Sequence, residues 1–249
     1  GDFRLTNIQD YYKWYSKNHC LKDRIQDFVY GLTEIYKNQI INADNIAVPG
    51  CYPTSVLLPL IPLLKHNIIN ERNIIIDSKS GYSGAGKNFN LKKLINNNIY
   101  NFYSYKTNNH RHMPEIEQEL SFSPQKKVSI IFNPHILPIE RGIISTIYCN
   151  LTNIIETKEI ENFLINFYKD DKFIEIKSNN EDITFFDVIG TNKCIIKIIK
   201  NNSNNSIIIQ SVIDNLIKGA SGQAVQNMNL MFNFNSYESL GMKKLIDNV

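Results

Sequence analysis

The chain has 249 residues, 43% hydrophobic and 20% charged, a globular composition long enough for one large domain or two modest ones. A formal net charge of +3 with scattered lysines leaves no basic nucleic-acid footprint. Four cysteines lie far apart with no CxxC pair, which argues against a zinc ribbon or disulfide scaffold and for a reducing, cytoplasmic setting.

Residues 1–4 are neither the charged nor the apolar stretch expected of a signal peptide, and the most apolar window, residues 55–64, holds two prolines within about ten residues against the ~20 of a membrane span. The chain also lacks an initiator Met, so it is expected to begin inside a longer one. The pattern predicts a helix over 7–16 and, from the spacing of Leu21, Ile25, Phe28 and Val29, a second over 20–30. Residues 45–48 read as a short strand running into Pro49 and Gly50, and 51–65 as a helix with Pro53 in its first turn. Pro59 and Pro62 are expected to bend or shorten that helix. Residues 73–77 read as a buried strand ending in the small-residue loop SKSGYSGAGK. Pro114 with Glu115 and Glu117 marks a helix over 114–120. Strands are expected over 127–132 and 142–151, then an amphipathic helix over 158–168, then strands near 172–176, 194–199 and 206–213. A helix over 221–232, N-capped by serine, closes the pattern. Strands outnumber helices in the middle and their connections are too varied for a parallel crossover array. An α+β fold with a largely antiparallel or mixed sheet fits.

Four segments carry chemistry. In VPGCYPTS, Cys51 follows a tight turn and opens a helix, where the helix dipole and free N–H groups lower a thiol pKa and leave the sulfur exposed. Position alone leaves two readings open, a nucleophile or a small buried hydrophobe. HRHMPEIEQ places His110 and His112 beside Arg111, and histidine suits proton transfer from a thiol near neutral pH. On an extended segment the two histidines alternate and cannot both face one site. SKSGYSGAGK fits neither a P-loop nor a dinucleotide fingerprint, yet its small residues let backbone approach a phosphate or a flat ring. NPHILPIERGIIST reads as a proline-rich turn leading into Arg141, a candidate for an anionic group.

In this order VPGCYPTS, SGYSGAGK, HRHMPEIEQ, PHILPIERGIIST, DVIGTNKC and KGASGQAVQNMNLMF resemble the N-acetyl-γ-glutamyl-phosphate reductases of arginine biosynthesis, over residues 2–232. The resemblance implies a glyceraldehyde-3-phosphate-dehydrogenase-like catalytic domain plus the remnant of an α/β NADP-binding domain. Residues 1–48 would be the end of the cofactor domain, 49–213 the catalytic and dimerisation domain, and 214–249 a C-terminal helix returning to the cofactor domain. Most of the family's N-terminal Rossmann domain has no counterpart in the sequence.

The resemblance further implies NADPH-dependent reduction of N-acetyl-L-glutamyl 5-phosphate to the 5-semialdehyde through a thioester on Cys51, with release of inorganic phosphate. His112, or else His110, would be the acid/base. Ser83, Gly84 and Ala85 would lie along the nicotinamide, with Gln226 or Asn227 near its amide. Arg111, Arg141 and Lys87 would hold substrate carboxylate or phosphate, and Lys87 stands where the family usually has arginine. A homo-oligomer is implied, with no metal, nucleic-acid or membrane partner. Other readings are an acyl-phosphate reductase of the lysine route, aspartate β-semialdehyde formation, a Cys-His hydrolase, or an inactive truncated remnant serving as an assembly partner.

Overall fold

The first helix, α1 (Ile8–Tyr15), starts where the Asn7 side chain accepts the N–H groups of Gln9 and Asp10, in a computed structural model describing residues 1–86, 89–122, 127–201 and 205–241. The helix expected over 20–30 is reduced to a 3-10 turn, Lys22–Asp27, followed by the strand β1 (Val29–Tyr30). The reason is pairing: Val29 N–H donates to Asn45 O at 3.0 Å and Gly31 N–H to Ala47 O at 2.9 Å, so this backbone joins a parallel ladder instead of a helix. Helix α2 (Thr33–Ile41), which the sequence pattern did not reveal, connects β1 to its partner β2 (Ile46–Ala47).

Helix α3 (Cys51–Lys65) matches the expected span and is buried on all sides from Tyr52 to Leu63, as an apolar circumference requires. Pro59 and Pro62 neither shorten nor end it. Pro62 has no N–H for the Leu58 carbonyl, and the Tyr168 hydroxyl takes that place, donating to Leu58 O at 2.5 Å. Such a replacement contributes about 1 kcal/mol.

Strand β3 (Ile74–Gly81) runs four residues beyond its expected end, so the small-residue loop shrinks to a 3-10 turn, Tyr82–Ala85. A small hairpin of β4 (Ile95–Asn96) and β5 (Ile99–Tyr100) precedes β6 (Tyr103–Ser104) and helix α4 (Met113–Leu120). Strand β7 (Ile130–Leu137) passes straight through NPHIL, where a proline-rich turn was expected. Pro134 accepts the Tyr105 N–H at 3.0 Å, so its own missing N–H faces the β6 side, just where β6 pairing ends, and the β3 ladder loses nothing. Then follow β8 (Ile143–Asn150), α5 (Thr157–Phe167), β9 (Ile174–Lys177), β10 (Cys194–Asn201), β11 (Ser206–Ile213) and α6 (Gly222–Met231).

Among the described residues seven strands form one sheet in the order β6-β7-β3-β8-β11-β10-β9. The β3/β7 and β9/β10 pairs are parallel and the others antiparallel, the mixed sheet of the expected α+β class. Helices α3, α4 and α5 cover one face, where Ile74, Ile76, Ile147 and Ile209 meet α3 in the main core. The opposite face carries a row in direct cross-strand register: Ile131, Ile75, Tyr148, Ile208 and Ile199. Ile131, Ile75 and Tyr148 are 49%, 39% and 41% exposed, so this apolar row stands open.

Ser221 does not cap α6. It lies in helical conformation with its hydroxyl donating to Leu216 O at 2.7 Å, because a π-turn, Ile217–Ser221, starts the helix earlier. Asp214 caps that turn, its Oδ1 accepting Leu216 N–H at 2.8 Å and Ile217 N–H at 3.1 Å. Among the described residues no helix is long and apolar enough to cross a membrane.

Candidate active site

Cys51 is the first residue of α3, after an extended Gly50. The residue as a whole is half-buried, and burial around its sulfur pushes the thiol pKa up to about 11, against the Tyr52 N–H and the Arg4 charge that pull it down. The exposed, acidified thiol expected from a helix start is thus corrected. The N–H groups of Tyr52 and Cys51 at the helix start pull the pKa down as anticipated, but desolvation is larger.

His110 and His112 face the same cleft. The segment is a turn, with Met113 N–H donating to His110 O at 2.8 Å, so the alternation expected of an extended chain does not apply. Their ring centroids lie 4.8 Å apart, and both rings meet Tyr52, at 5.6 and 5.8 Å. His110 Nδ1 accepts the His112 N–H at 3.2 Å, which puts the proton of neutral His110 on Nε2. Burial, then the Arg111 and Lys106 charges, lower the His110 pKa from 6.5 to about 4. Burial likewise holds His112 well below its ordinary value, with its Nδ1 unpartnered. At neutral pH the resting site is therefore a protonated thiol beside two uncharged imidazoles.

Glu115, three residues after His112 and 1% exposed, anchors this arrangement. Its Oε1 accepts Gly50 N–H at 2.8 Å and the Tyr30 hydroxyl at 2.8 Å, and Arg4 lies 3.5 Å from Oε2. Arg4 also donates to Val48 O at 2.7 Å, so both residues fix the peptide leading into Cys51. The resulting cleft holds about 30 Å³, room for roughly one water.

The structure brings together Cys51, His110, Arg111, His112, Gly84 and Ala85. Ser83 lies outside the lining, directly before Gly84, with its hydroxyl engaged, donating to Glu140 O at 2.5 Å and accepting from Asn215 at 2.9 Å. Arg141 is not in this lining: its backbone lies behind Gly81, its guanidinium is 3.5 Å from Asp214, and it lines a separate apolar cavity of about 560 Å³. Gln226 and Asn227 are buried and used internally. Gln226 Oε1 accepts from Asn192 and Lys218 at 2.7 Å each, and Asn227 donates to Gly31 O at 2.9 Å. Lys87 lies outside the described residues. The sequence reading missed Tyr52, Tyr105, Ser80 and Ile136 in the lining, and Arg4 and Glu115 behind it. Only Glu115 gave a signal, as an acid one helical turn beyond His112.

A seven-stranded mixed sheet with a thiol and two imidazoles at the start of its buried helix belongs to the semialdehyde dehydrogenase class: the family model described as semialdehyde dehydrogenase, dimerisation domain, matches residues 51–215. N-acetyl-γ-glutamyl-phosphate reductase of Ehrlichia ruminantium (strain Gardel) is 48% identical over 232 residues, 93% of this chain and 66% of that protein. The protein of that name from Clostridium beijerinckii is 43% identical over 97% of this chain and 70% of its own length. The chain belongs to the N-acetyl-γ-glutamyl-phosphate reductase family and spans about two thirds of the length of these curated relatives. Aspartate semialdehyde dehydrogenase II from Vibrio cholerae shares the fold, with a TM-score of 0.66 at 17% identity over 84% of this chain and 69% of that one.

The raised thiol pKa has a direct readout, since only thiolate reacts with iodoacetamide. Alkylation of Cys51, followed by peptide mass spectrometry, is expected to rise through a midpoint near 11. A midpoint at or below the ordinary 9.0 would contradict the burial of the site.

Proposed function

We propose that this chain carries the acyl-transfer chemistry of an N-acetyl-γ-glutamyl-phosphate reductase, converting the acyl phosphate to N-acetylglutamate semialdehyde with NADP(H). The observation that supports this best is the Cys51 thiol sharing a cleft with two neutral imidazoles. The Cys51 Sγ–H proton passes to His112 as sulfur attacks the acyl carbon. The carbon–oxygen bond to phosphate breaks, the phosphate departs as hydrogen phosphate with a proton taken from solvent, and a thioester remains on Cys51. His110, with its proton on Nε2, donates to the carbonyl oxygen as negative charge builds there. Arg111, exposed at the cleft, holds the phosphate or the substrate carboxylate.

Gly84 and Ala85 are exposed along the cleft and carry little or no side chain, which fits the flat face of a nicotinamide. When bound, NADPH would supply the hydride that a thioester carbonyl accepts readily, sulfur being a weak resonance donor. As the reduced adduct collapses, the carbon–sulfur bond breaks and sulfur regains its proton from His112. The expected domain division accompanies this reading, with 1–48 and 214–249 belonging to the cofactor-binding side. Its support is the bonding of Asn227 on α6 to Gly31 and Thr33.

Self-association is part of the same proposal. The open row Ile131, Ile75 and Tyr148 is the apolar surface a second copy would cover.

Two measurements test these statements. Phosphate-dependent NADP⁺ reduction with N-acetylglutamate semialdehyde, in this chain joined to an N-terminal cofactor domain, should fall about 10²–10⁴-fold in His112→Asn. It should vanish in Cys51→Ser, and equal rates in the three proteins would refute the assignment. Light scattering should find the wild-type chain dimeric or larger and Tyr148→Glu monomeric. A wild-type monomer would refute the interface.

A further inference from the structure

We infer that Asn215 is a positioning residue, holding through Ser83 the turn that sets Gly84 in the wall of the Cys51 cleft. Asp214 and Asn215 directly follow β11 and are 0% and 2% exposed. The Asn215 carboxamide works at both ends: Oδ1 accepts Gly142 N–H at 2.7 Å and Nδ2 donates to Ser83 Oγ at 2.9 Å. The Ser83 hydroxyl uses its proton on Glu140 O at 2.5 Å, so it can only accept from position 215. A Cβ on Gly84 would lie 3.5 Å from Asn215 Nδ2, which places the amide directly behind a residue that lines the cleft.

The neighbouring Asp214 holds the other side of the cleft. Its carboxylate caps the π-turn and its carbonyl accepts the Gly219 N–H at 2.9 Å. A Cβ on Gly219 would lie 2.7 Å from the Cys51 Cβ, so Gly219 is the backing of the nucleophile. The same carboxylate accepts Gly190 N–H at 2.9 Å, which accounts for the DVIGT segment that the proposed chemistry does not use. One dipeptide therefore ties the support behind the thiol to the wall that faces it, and the cleft width follows from its geometry. Only a carboxamide can serve at 215, because aspartate would lack the donor and alanine both groups.

This inference rests on the proposed role of the Cys51 cleft, and its test reads access rather than turnover. Asn215→Ala, Asn215→Asp, Ser83→Ala and the Asn215→Ala/Ser83→Ala double variant are treated under alkaline conditions, where the thiol ionises. Modification of Cys51 by small iodoacetamide and by bulkier N-ethylmaleimide is measured by peptide mass spectrometry. Loss of the bond should raise the maleimide-to-iodoacetamide rate ratio about two- to tenfold in each single variant. The double variant should fall short of the product of the two single effects, because the Asn215–Ser83 bond is lost in both and only the Gly142 and Glu140 bonds are lost separately. Ser83→Ala removes one hydroxyl from the turn and keeps the test decisive if an Asn215 variant does not fold. A ratio unchanged from wild type in the folded variants, whatever their melting temperature, would overturn the positioning role. Should Cys51 prove not to be the nucleophile, turnover would survive in Cys51→Ser while this ratio stayed readable, so the two failures are distinct.

Discussion

Two backbone approaches with no room for a side chain hold the site together. A Cβ on Gly50 would sit 2.5 Å from His112 Nε2, and one on Gly219 would sit 2.7 Å from the Cys51 Cβ. Neither backbone atoms nor a ring locked in a buried cluster can retreat, so both positions need glycine. Between these contacts the first turn of α3 is wedged against α4 on one side and the π-turn on the other. Glu115, by accepting the Gly50 N–H, fixes the peptide that the wedge leaves in place.

The same close packing sets the electrostatics. A site with room for about one water solvates no isolated charge, so burial raises the thiol pKa and lowers both histidine pKa values. The proton of the resting site therefore stays on sulfur. In the proposed chemistry, attack is coupled to proton transfer to His112, and the developing ion pair is balanced only once an anionic substrate and its leaving phosphate occupy the cleft. On the proposed role, a nucleophile kept as neutral thiol until substrate arrives would also be shielded from indiscriminate alkylation and oxidation.

The sequence was informative wherever one local rule acted alone. The apolar run bounded by Gly50 and Lys65 gave α3 its residues, and alternating β-branched residues gave β8, β10 and β11 within a residue or two. It misled where a distant group replaced a local rule: Tyr168 satisfies the carbonyl that Pro62 abandons, and the end of β6 excuses Pro134. It was silent on α2, whose polar and apolar residues follow no clear helical face and whose Leu32 cap lacks a side-chain bond. Within the site, residue types identified Cys51, His110 and His112, but the turn that aims both rings into one cleft is a backbone feature. Asn215 could not be found from spacing, because its partners Gly142 and Ser83 are 73 and 132 residues away.

The account stands on an acyl group passing to one sulfur. Mixing the chain with N-acetyl-γ-glutamyl phosphate and recording the intact mass tests this most directly. The account predicts a single acyl adduct, mapped to Cys51, released by hydroxylamine and absent from Cys51→Ser. An adduct that persists in Cys51→Ser, or a wild-type chain that forms none, would contradict it.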